Sequence, residues 1–346
     1  MNHADELHRE QKETLIKLRK ALPPFTDEFF RGIESSTEIR TRIAYAVDLN
    51  VFFEYLTSED ERFCSRTPER ITLEDMRALS VADYERFIEY LGFYKRNDII
   101  RENANCGKAR KLSSLRAMVK YFVKKQLLNV NMPALVTTPK LHEQPKIRLE
   151  ANEVADLLDI AESGESMSKK QKQYHDKTAV RDVAILSLFL GTGIRISELV
   201  GIDTDDIDID NHSFRITRKG GYKDVLYFND EVADALIPYL SERAEMAALG
   251  GSEKALFLSL QKKRITVRAV QNLVKKYSSQ AVPLKHITPH KLRKTYGTML
   301  YLETGDIYLV ANALGHKDVN TTRKHYADTE EVNKRMAARV IKLRRD

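Results

Sequence analysis

The chain has 346 residues and a formal net charge of +7. This length is too great for one ordinary core and predicts two domains. The hydrophobic residues, 42% of the chain, exclude a disordered chain. The charged N-terminus predicts no signal peptide, and the longest apolar run, VAILSLFLG, is too short to cross a bilayer. Two widely separated cysteines, Cys64 and Cys106, predict a reducing compartment without a disulfide framework.

The first part of the chain predicts amphipathic helices. In TRIAYAVDLNVFFEYL, an apolar stripe recurs at helical spacing and consists of Tyr45, Leu49, Phe52, Phe53 and Leu56. VADYERFIEYLGFY predicts a second helix of the same kind.

A third predicted helix, GKARKLSSLRAMVKYFVKKQLL, lies in a strongly basic region. Residues 101–140 contain nine lysines or arginines and one acidic residue. The helical period turns one face inward, formed by Leu112, Leu115, Val119 and Phe122. Arg110, Lys120 and Lys124 fall on the outward side and, with Lys108, are the candidate DNA-binding residues. A solvated helix face is the alternative explanation at this point.

The segment NVNMPALVTTPKLHEQPK predicts a boundary, because it has three prolines and no hydrophobic period. We expect a helical domain at residues 1–140, a linker at 141–147 and a second domain at 148–346. In the second domain, LEANEVADLLDIAE predicts a helix, and the polar insertion SGESMSKKQKQYHDK predicts a surface loop.

HSFRITRKGGYKDVLYFND holds two β-prone runs joined across Gly220 and Gly221, which predicts an antiparallel hairpin with Lys219 at its tip. No other segment of the chain gives a clear strand signal. The predicted fold class is therefore mainly α, with a small antiparallel sheet in the second domain.

Two segments predict arginines that bind an anion. In TGIRISELVGI, Arg195 and Glu198 are close enough on a new helix to form an ion pair. A partly buried arginine held by a carboxylate is a pre-oriented anion ligand, whereas a surface pair contributes little. In ITPHKLRKTYGTML, Thr288 fits the N-cap and Pro289 the first helical position.

His290 and Arg293 then share one face near the positive end of that helix, which predicts a phosphate site. A capped helix with incidental polar residues is the alternative. No metal site is predicted, because Pro289 prevents His286 and His290 from sharing a regular helix and no HExxH motif is present.

The segment LGHKDVNTTRKHYA places a tyrosine in polar surroundings. Gly315 predicts a helix end that exposes His316, and Asn320 predicts the cap of a short helix carrying His325 and Tyr326. A packing role is the simplest explanation of a lone tyrosine. Together with two arginines, a hairpin lysine and two histidines, however, Tyr326 suits metal-free phosphoryl transfer as a nucleophile.

The ordered segments GTGIRISELV, RKGG, TPHKLRKTYGT and LGHKDVNTTRKHYA resemble the motifs of the tyrosine recombinase (phage integrase) family. The chain looks most similar to the one-protein Xer-type members. The resemblance implies a helical SAM-like core-binding domain, followed by an α+β catalytic domain of the tyrosine recombinase type.

The resemblance also implies residue roles. Six residues would be catalytic: Arg195, Lys219, His290, Arg293, His316 and Tyr326. The arginines would hold the scissile phosphate, the lysine would protonate the leaving 5′-oxygen, and the histidines would assist proton transfer. The tyrosine would form a 3′-phosphotyrosine, and Glu198 would support Arg195. Family members need neither a metal nor a nucleotide cofactor.

The partners implied by the resemblance are double-stranded DNA with an inverted-repeat recombination site and three further copies of the chain. In the C-terminal tail, Val332, Met336 and Val340 recur every four residues, which predicts a helix that buries a stripe. In the family such a tail often docks on a neighbouring subunit in a tetramer, and docking on its own domain is the alternative. A cytoplasmic, nucleoid-associated protein without membrane contact is expected.

Two departures leave the subtype open. Lys294 stands where the family often has histidine, and the interval from His316 to Tyr326 is one residue longer than the usual Xer pattern. That interval is more similar to many mobile-element integrases, so chromosome dimer resolution and element mobility are both expected roles. A type IB-like topoisomerase, a non-catalytic DNA-binding regulator and a metal-dependent nuclease are the competing classes.

Overall fold

The computed structural model describes residues 3–140, 147–165, 167–218, 221–316 and 318–323. The chain divides into two compact units, residues 1–144 and residues 145–346. Most of the predicted linker lies outside the described residues, so the exact domain limits stay a prediction. Within the described ranges, no helix is both long enough and apolar enough to cross a membrane.

The N-terminal unit is built from helices around an aromatic core. Its helices are α1 His3–Arg19, α2 Thr26–Gly32, α3 Ile39–Glu59, α4 Leu73–Ala78, α5 Val81–Tyr90, α6 Asn105–Lys124 and α7 Met132–Leu135. Phe52 lies edge-on to Phe53 and Phe87, with ring centroids 5.4 and 5.0 Å apart. Such edge-to-face pairs add to the free energy that their burial contributes.

The predicted apolar faces of α3 and α6 are confirmed. In α3, Tyr45 is half-buried and the other four stripe residues are buried. In α6, the predicted inward face is buried, and it consists of Leu112, Leu115, Val119 and Phe122. Helical periodicity therefore determined which sides of these helices pack.

The prediction of helices alone for the first part of the chain is wrong at residues 94–101. There β1 Tyr94–Arg96 and β2 Ile99–Arg101 pair in an antiparallel hairpin. Asn97 and Asp98 form the turn with φ of 50° and 60°, a conformation that these two residue types tolerate better than most. Strands of three residues are too short to give an alternating pattern, so the sequence offers little signal for them.

Part of the proline-rich segment packs on the N-terminal unit. Pro133 in α7 and Val136 after it are buried. Arg116 of α6 donates hydrogen bonds to the carbonyl oxygens of Pro133 (2.9 Å) and Val136 (2.6 Å). Hydrogen bonds from Arg116 thus hold residues 133–136 against α6, although this stretch has no hydrophobic period.

The C-terminal unit has a helical core with a small sheet beside it. Its helices are α8 Ala151–Ser163, α9 Lys169–His175, α10 Ala179–Thr192, α11 Ile196–Leu199, α12 Asp230–Ala244, α13 Val267–Ala281, α14 Pro289–Thr304, α15 Ile307–Leu314 and α16 Val319–Thr322. The apolar helix α10 packs against α8, α12 and α14. The apolar run VAILSLFLG lies in this helix, and its residues are apolar because helices surround it.

The predicted hairpin of the C-terminal unit is confirmed. Its strands are β4 Ser213–Thr217 and β5 Lys223–Tyr227, and the two-residue strand β3 Ile207–Asp208 pairs with the other edge of β4. The register of β4 and β5 pairs Phe214 with Leu226. Along β4, Phe214 and Ile216 are buried and Arg215 is exposed, which is the expected alternation.

Residues 169–175 of the polar insertion form the helix α9, so the prediction of a surface loop is wrong for this part of it. Ser168 and Gln171 form a capping box that starts α9. His175 at its end is 3% exposed, and its Nδ1 lies 3.1 Å from Tyr277 Oη. Tyr277 donates to Asp182 Oδ2 (2.9 Å), and burial raises the pKa of this tyrosine. A buried histidine, rather than an apolar stripe, therefore anchors α9.

Candidate active site

Two of the candidate residues, Arg195 and Arg293, meet at the C-terminal end of α15. Asp306 starts this helix by accepting hydrogen bonds from the backbone N–H groups of Tyr308 (2.8 Å) and Leu309 (3.1 Å). Gly315 ends it with φ of +59°, as predicted. The end of a helix exposes unpaired carbonyl groups and the negative end of the helix dipole. The arginine side chains bind to these carbonyl groups.

Arg293 lies in the second turn of α14 and is 4% exposed. Its guanidinium donates to the carbonyl oxygens of Leu314 and Gly193. Gly193 ends α10 with φ of +61°. One arginine thus joins the ends of α10 and α15 to the start of α14.

The predicted ion pair between Arg195 and Glu198 is present, and it is also a helix cap. Arg195 is the N-cap residue of α11, and its backbone N–H donates to Glu198 Oε2 (2.9 Å). Arg195 Nη1 donates to Glu198 Oε1 (2.8 Å), and Nη2 donates to the Gly315 carbonyl (3.3 Å). The Glu198 side chain is 2% exposed and that of Arg195 is 34% exposed. This pair matches the predicted half-buried arginine held by a carboxylate.

Arg218, which follows β4, is a third arginine at this position, and the sequence analysis missed it. Its side chain is 8% exposed, and Nη1 lies 3.6 Å from Glu198 Oε1. Nη1 also donates to the Leu314 carbonyl (3.3 Å). The alternation that buries Phe214 and Ile216 extends to Arg218, so the sequence did carry a signal for it.

The two candidate histidines lie at different ends of helices. His316 follows Gly315, is half-buried, and has Nδ1 2.8 Å from Thr322 Oγ1 of α16. His290 lies in the first turn of α14 and is exposed. Thr288 is the N-cap and Pro289 the first residue of that helix, as predicted.

The prediction that Asn320 caps the next helix is wrong. Asp318 is the N-cap of α16, and its Oδ1 accepts the backbone N–H of Asn320 (2.9 Å). Aspartate carries a full charge toward the positive helix end, which makes it the stronger cap here. Lys219, His325, Tyr326 and the tail lie outside the described residues.

Tyr296 of α14 is a tyrosine close to Arg293 and Gly193. A side chain at Gly193 would contact it, since a Cβ built there lies 2.4 Å from Tyr296 Cδ1. Burial raises the pKa of Tyr296, and the nearby Arg293 charge opposes this shift. A raised pKa makes a phenol harder to deprotonate, so Tyr296 is poorly suited to attack phosphorus. In the part of the chain that the structure describes, no three His, Cys, Asp or Glu side chains are grouped to hold a metal ion.

The candidate DNA-binding residues on α6 differ in exposure. Lys120 and Lys124 are exposed, whereas Lys108 is half-buried beside Gly92. Arg110 is half exposed and donates to Asp48 Oδ2 (2.6 Å) within the unit. The two lysines are therefore the candidates that best fit an open basic face.

The helical units, the small sheet and the convergent arginines define the class of protein expected from the sequence, a tyrosine recombinase. Residues 147–332, more than half of the chain, match the phage integrase family. The chain belongs to this family. Tyrosine recombinase XerC of Caldanaerobacter subterraneus subsp. tengcongensis is 33% identical, and the alignment covers 90% of this chain and 86% of the relative.

Two further similarities cover most of the chain. Tyrosine recombinase XerS of Lactococcus lactis subsp. cremoris is 29% identical over 94% of this chain and 99% of its own. The crystal structure of the XerH site-specific recombinase bound to palindromic difH substrate has a TM-score of 0.66 and 18% identity. It covers 87% of this chain and 80% of that chain. At this identity, the structural match shows a shared fold.

We expect Glu198 to stabilise the arginine cluster. Glu198→Gln should lower the free energy of unfolding by about 1 to 3 kcal/mol, because two guanidinium groups lose a buried charged acceptor. Chemical denaturation followed by circular dichroism measures this change. Glu242→Gln, at an exposed position, is the matched control and should change stability by about 0.5 kcal/mol or less. Equal stability of both variants would contradict the expected role of Glu198.

Proposed function

We propose that this protein is a site-specific DNA recombinase that cleaves and rejoins strands through a 3′-phosphotyrosine on Tyr326. The observation that carries the proposal is the meeting of Arg195 and Arg293 at the end of α15, one or two residues before His316. Guanidinium groups offer paired N–H donors that match phosphate oxygens. Membership of the phage integrase family supports the tyrosine chemistry.

In the proposed step, the hydroxyl oxygen of Tyr326 forms a bond to the scissile phosphorus while the bond to the 5′-oxygen breaks. Lys219 supplies a proton to the leaving 5′-oxygen, and the histidines of the site help to remove the tyrosine proton. Arg195 and Arg293 stabilise charge on the non-bridging oxygens. Because the phosphotyrosine keeps the energy of the broken bond, the 5′-hydroxyl of a partner strand can reverse the step and join it. No metal takes part in this scheme.

Recombination is favoured over the competing classes. The curated relatives that align over most of the chain are named tyrosine recombinases, which supports strand exchange rather than topoisomerase relaxation. A non-catalytic regulator would have no need for all six of the proposed catalytic residues, which the sequence retains. The XerC and XerS relatives favour the Xer type, while the interval from His316 to Tyr326 favours a mobile-element role. The genomic position of the target site distinguishes these two roles.

We propose that the N-terminal unit contacts the DNA backbone through the exposed face of α6. Lys120 and Lys124 are one helical turn apart and both exposed, so two phosphate contacts on one side are sterically open. The substrate would be double-stranded DNA with an inverted-repeat site. We therefore also propose a cytoplasmic, nucleoid-associated location.

We propose further that four copies assemble on DNA through the C-terminal tail. A groove of about 840 Å³ between α8, α10, α12 and α14 supports this idea. Its lining is apolar with an acidic set, Asp159, Glu162, Glu231, Asp234 and Glu303. The described lining includes no lysine or arginine. The tail offers the opposite charge beside its apolar stripe, through Lys334, Arg335, Arg339, Lys342, Arg344 and Arg345.

Covalent capture tests the proposed nucleophile. We expect wild-type protein, mixed with sheared host DNA and EDTA and denatured in SDS, to retain DNA at one palindrome-like locus. Tyr326→Phe should bind DNA equally and retain none, because the attacking oxygen is missing. Sequencing of the protein-linked DNA measures this and recovers the site. A locus near the replication terminus indicates an Xer role, and the end of an element indicates an integrase.

Tyr222→Phe is the matched control for this experiment, because Tyr222 is an exposed tyrosine of the hairpin. This variant should form adducts like the wild type. Adducts that persist in Tyr326→Phe would show that another residue is the nucleophile. Adducts that disappear in EDTA would instead support the metal-dependent class.

The α6 proposal predicts a change in the salt dependence of binding. The double variant Lys120→Gln/Lys124→Gln should lower the slope of log K against log salt by about 1.8, since each lost phosphate contact removes roughly 0.9. Fluorescence anisotropy at several salt concentrations measures the slope. The control Lys169→Gln/Lys170→Gln removes the same charge from exposed positions of α9. An equal change in both double variants would mean that only net charge matters.

The tail proposal predicts a loss of assembly without a loss of binding. Met336→Asp should reduce two-site complexes about tenfold or more, because an unpaired carboxylate in an apolar groove costs roughly 2 kcal/mol or more. Native gels with one-site and two-site DNA measure both states. Ala338→Asp, two residues away and off the apolar stripe, is the control. If Met336→Asp lowers monomer stability and leaves assembly intact, the tail docks on its own domain.

A further inference from the structure

Arg218 is the buried residue that directly precedes the hairpin lysine. It follows the last residue of β4, and its side chain is 8% exposed. Its backbone N–H donates to the Tyr222 carbonyl (2.7 Å), which closes the hairpin at the level of this residue. Lys219 and Gly220 follow Arg218 directly in the sequence, and Gly221 has a φ of +80°, which favours glycine.

The Arg218 side chain connects the hairpin to the arginine cluster. On the hairpin side, Nε donates to Asp224 Oδ2 of β5 (2.8 Å). On the cluster side, Nη1 donates to the Leu314 carbonyl (3.3 Å) and lies 3.6 Å from Glu198 Oε1. The Leu314 carbonyl also accepts from Arg293. One guanidinium therefore links β5 of the hairpin to two groups that hold the other arginines.

Packing at Gly315 fixes this guanidinium further. A Cβ built on Gly315 lies 2.5 Å from Arg218 Cζ and 2.6 Å from its Nη1. The guanidinium thus rests against the backbone of the turn that leads to His316. Any side chain larger than hydrogen at this turn would displace Arg218.

Stability alone does not account for this arrangement. Burying a cation carries a desolvation penalty that Glu198 and Asp224 offset only in part. Arg218 Nη2 is buried and has no hydrogen-bond partner among the described residues. A buried donor that the described fold does not use calls for a functional reason, because an unsatisfied donor costs free energy.

We propose that Arg218 is a positioning residue that fixes the reach of Lys219 toward the leaving 5′-oxygen. A single peptide bond joins the two residues, so anchoring Arg218 limits the positions open to the long lysine side chain, which two glycines follow in the sequence. The inference rests on the proposed role of Lys219 as general acid. It adds a physical link between the hairpin and the cluster of Arg195, Glu198 and Arg293.

The test uses two forms of the scissile phosphate in duplexes built on the captured recombination site. One form has the natural 5′-oxygen, and the other has sulfur at the bridging 5′ position. A thiolate leaves without needing a proton, so sulfur removes the need for a general acid. A defect in proton delivery is therefore rescued by sulfur, whereas a defect in phosphate binding is not.

We expect Arg218→Met to cleave the oxygen substrate about 10- to 100-fold more slowly at saturating DNA, with Kd unchanged. Sulfur substitution should restore most of this loss, as it should for Lys219→Ala. Arg195→Lys is the reference for lost phosphate contact and should stay slow on both substrates. Arg218→Lys should recover only part of the rate, since an ammonium cannot reach Asp224 and Leu314 together.

Asp224→Asn keeps the test decisive if Arg218→Met does not fold. This variant changes only the hairpin-side partner of Arg218, and the Asp224 side chain is 34% exposed. It should give a smaller loss of cleavage rate, which the sulfur substrate reverses. Circular dichroism shows which variants are folded.

Equal slowing of Arg218→Met on both substrates, or no slowing on either, would overturn the inference while leaving the proposed function intact. If Lys219→Ala itself is not rescued by sulfur, the general-acid assignment fails and the inference fails with it. Recovery of the adduct at Tyr326 is independent of both results, so failure of the recombinase proposal would be seen separately.

Discussion

The C-terminal unit depends on one interaction above all, the binding of arginine side chains to the carbonyl groups at the last turn of α15. The Leu314 carbonyl accepts from Arg218 and Arg293, and the Gly315 carbonyl accepts from Arg195. Positive charges held this close repel one another. The negative end of the α15 dipole and the buried carboxylate of Glu198 compensate for that repulsion.

Two glycines in the backbone around this cluster leave room for the side chains that pack there. Gly193 and Gly315 both end helices with positive φ, and a side chain at either would also collide with a site residue. At Gly193 the neighbour is Tyr296, and at Gly315 it is the Arg218 guanidinium. Each glycine is therefore required twice, once for its backbone conformation and once for the close approach of a side chain. This double requirement explains why helix ends, rather than helix faces, build the candidate site.

In the N-terminal unit, some of the basic side chains bind partners within the unit. Asp48 is buried between α3 and α6, where it accepts from Ser114 Oγ (2.7 Å) and from Arg110. Burial raises the pKa of Asp48 and lowers that of Lys111, which donates to Asn103. The basic run of residues 101–140 is thus partly structural. Lys111 is buried and Lys108 and Arg116 are half-buried, so the exposed charge of this run is smaller than the composition indicates.

The sequence by itself determined whatever depends on neighbours a few residues apart. It determined the buried faces of α3 and α6, the hairpin across Gly220 and Gly221, and the helix ends at Pro289 and Gly315. It also placed Arg195 beside Glu198, because an i, i+3 contact is local. The motif order was enough to identify the family.

Only the tertiary structure decided which distant groups share an acceptor. Nothing local marks Arg218 as a partner of Leu314, 96 residues further along the chain. In the same way, α9 is held by the contact of His175 with Tyr277, 102 residues away. Because this helix has no apolar stripe, its polar sequence resembles that of a loop. The physical reason is the same in both cases. Periodicity reports apolar burial against near neighbours, whereas a buried polar side chain is held by hydrogen bonds whose partners are set by how the helices pack.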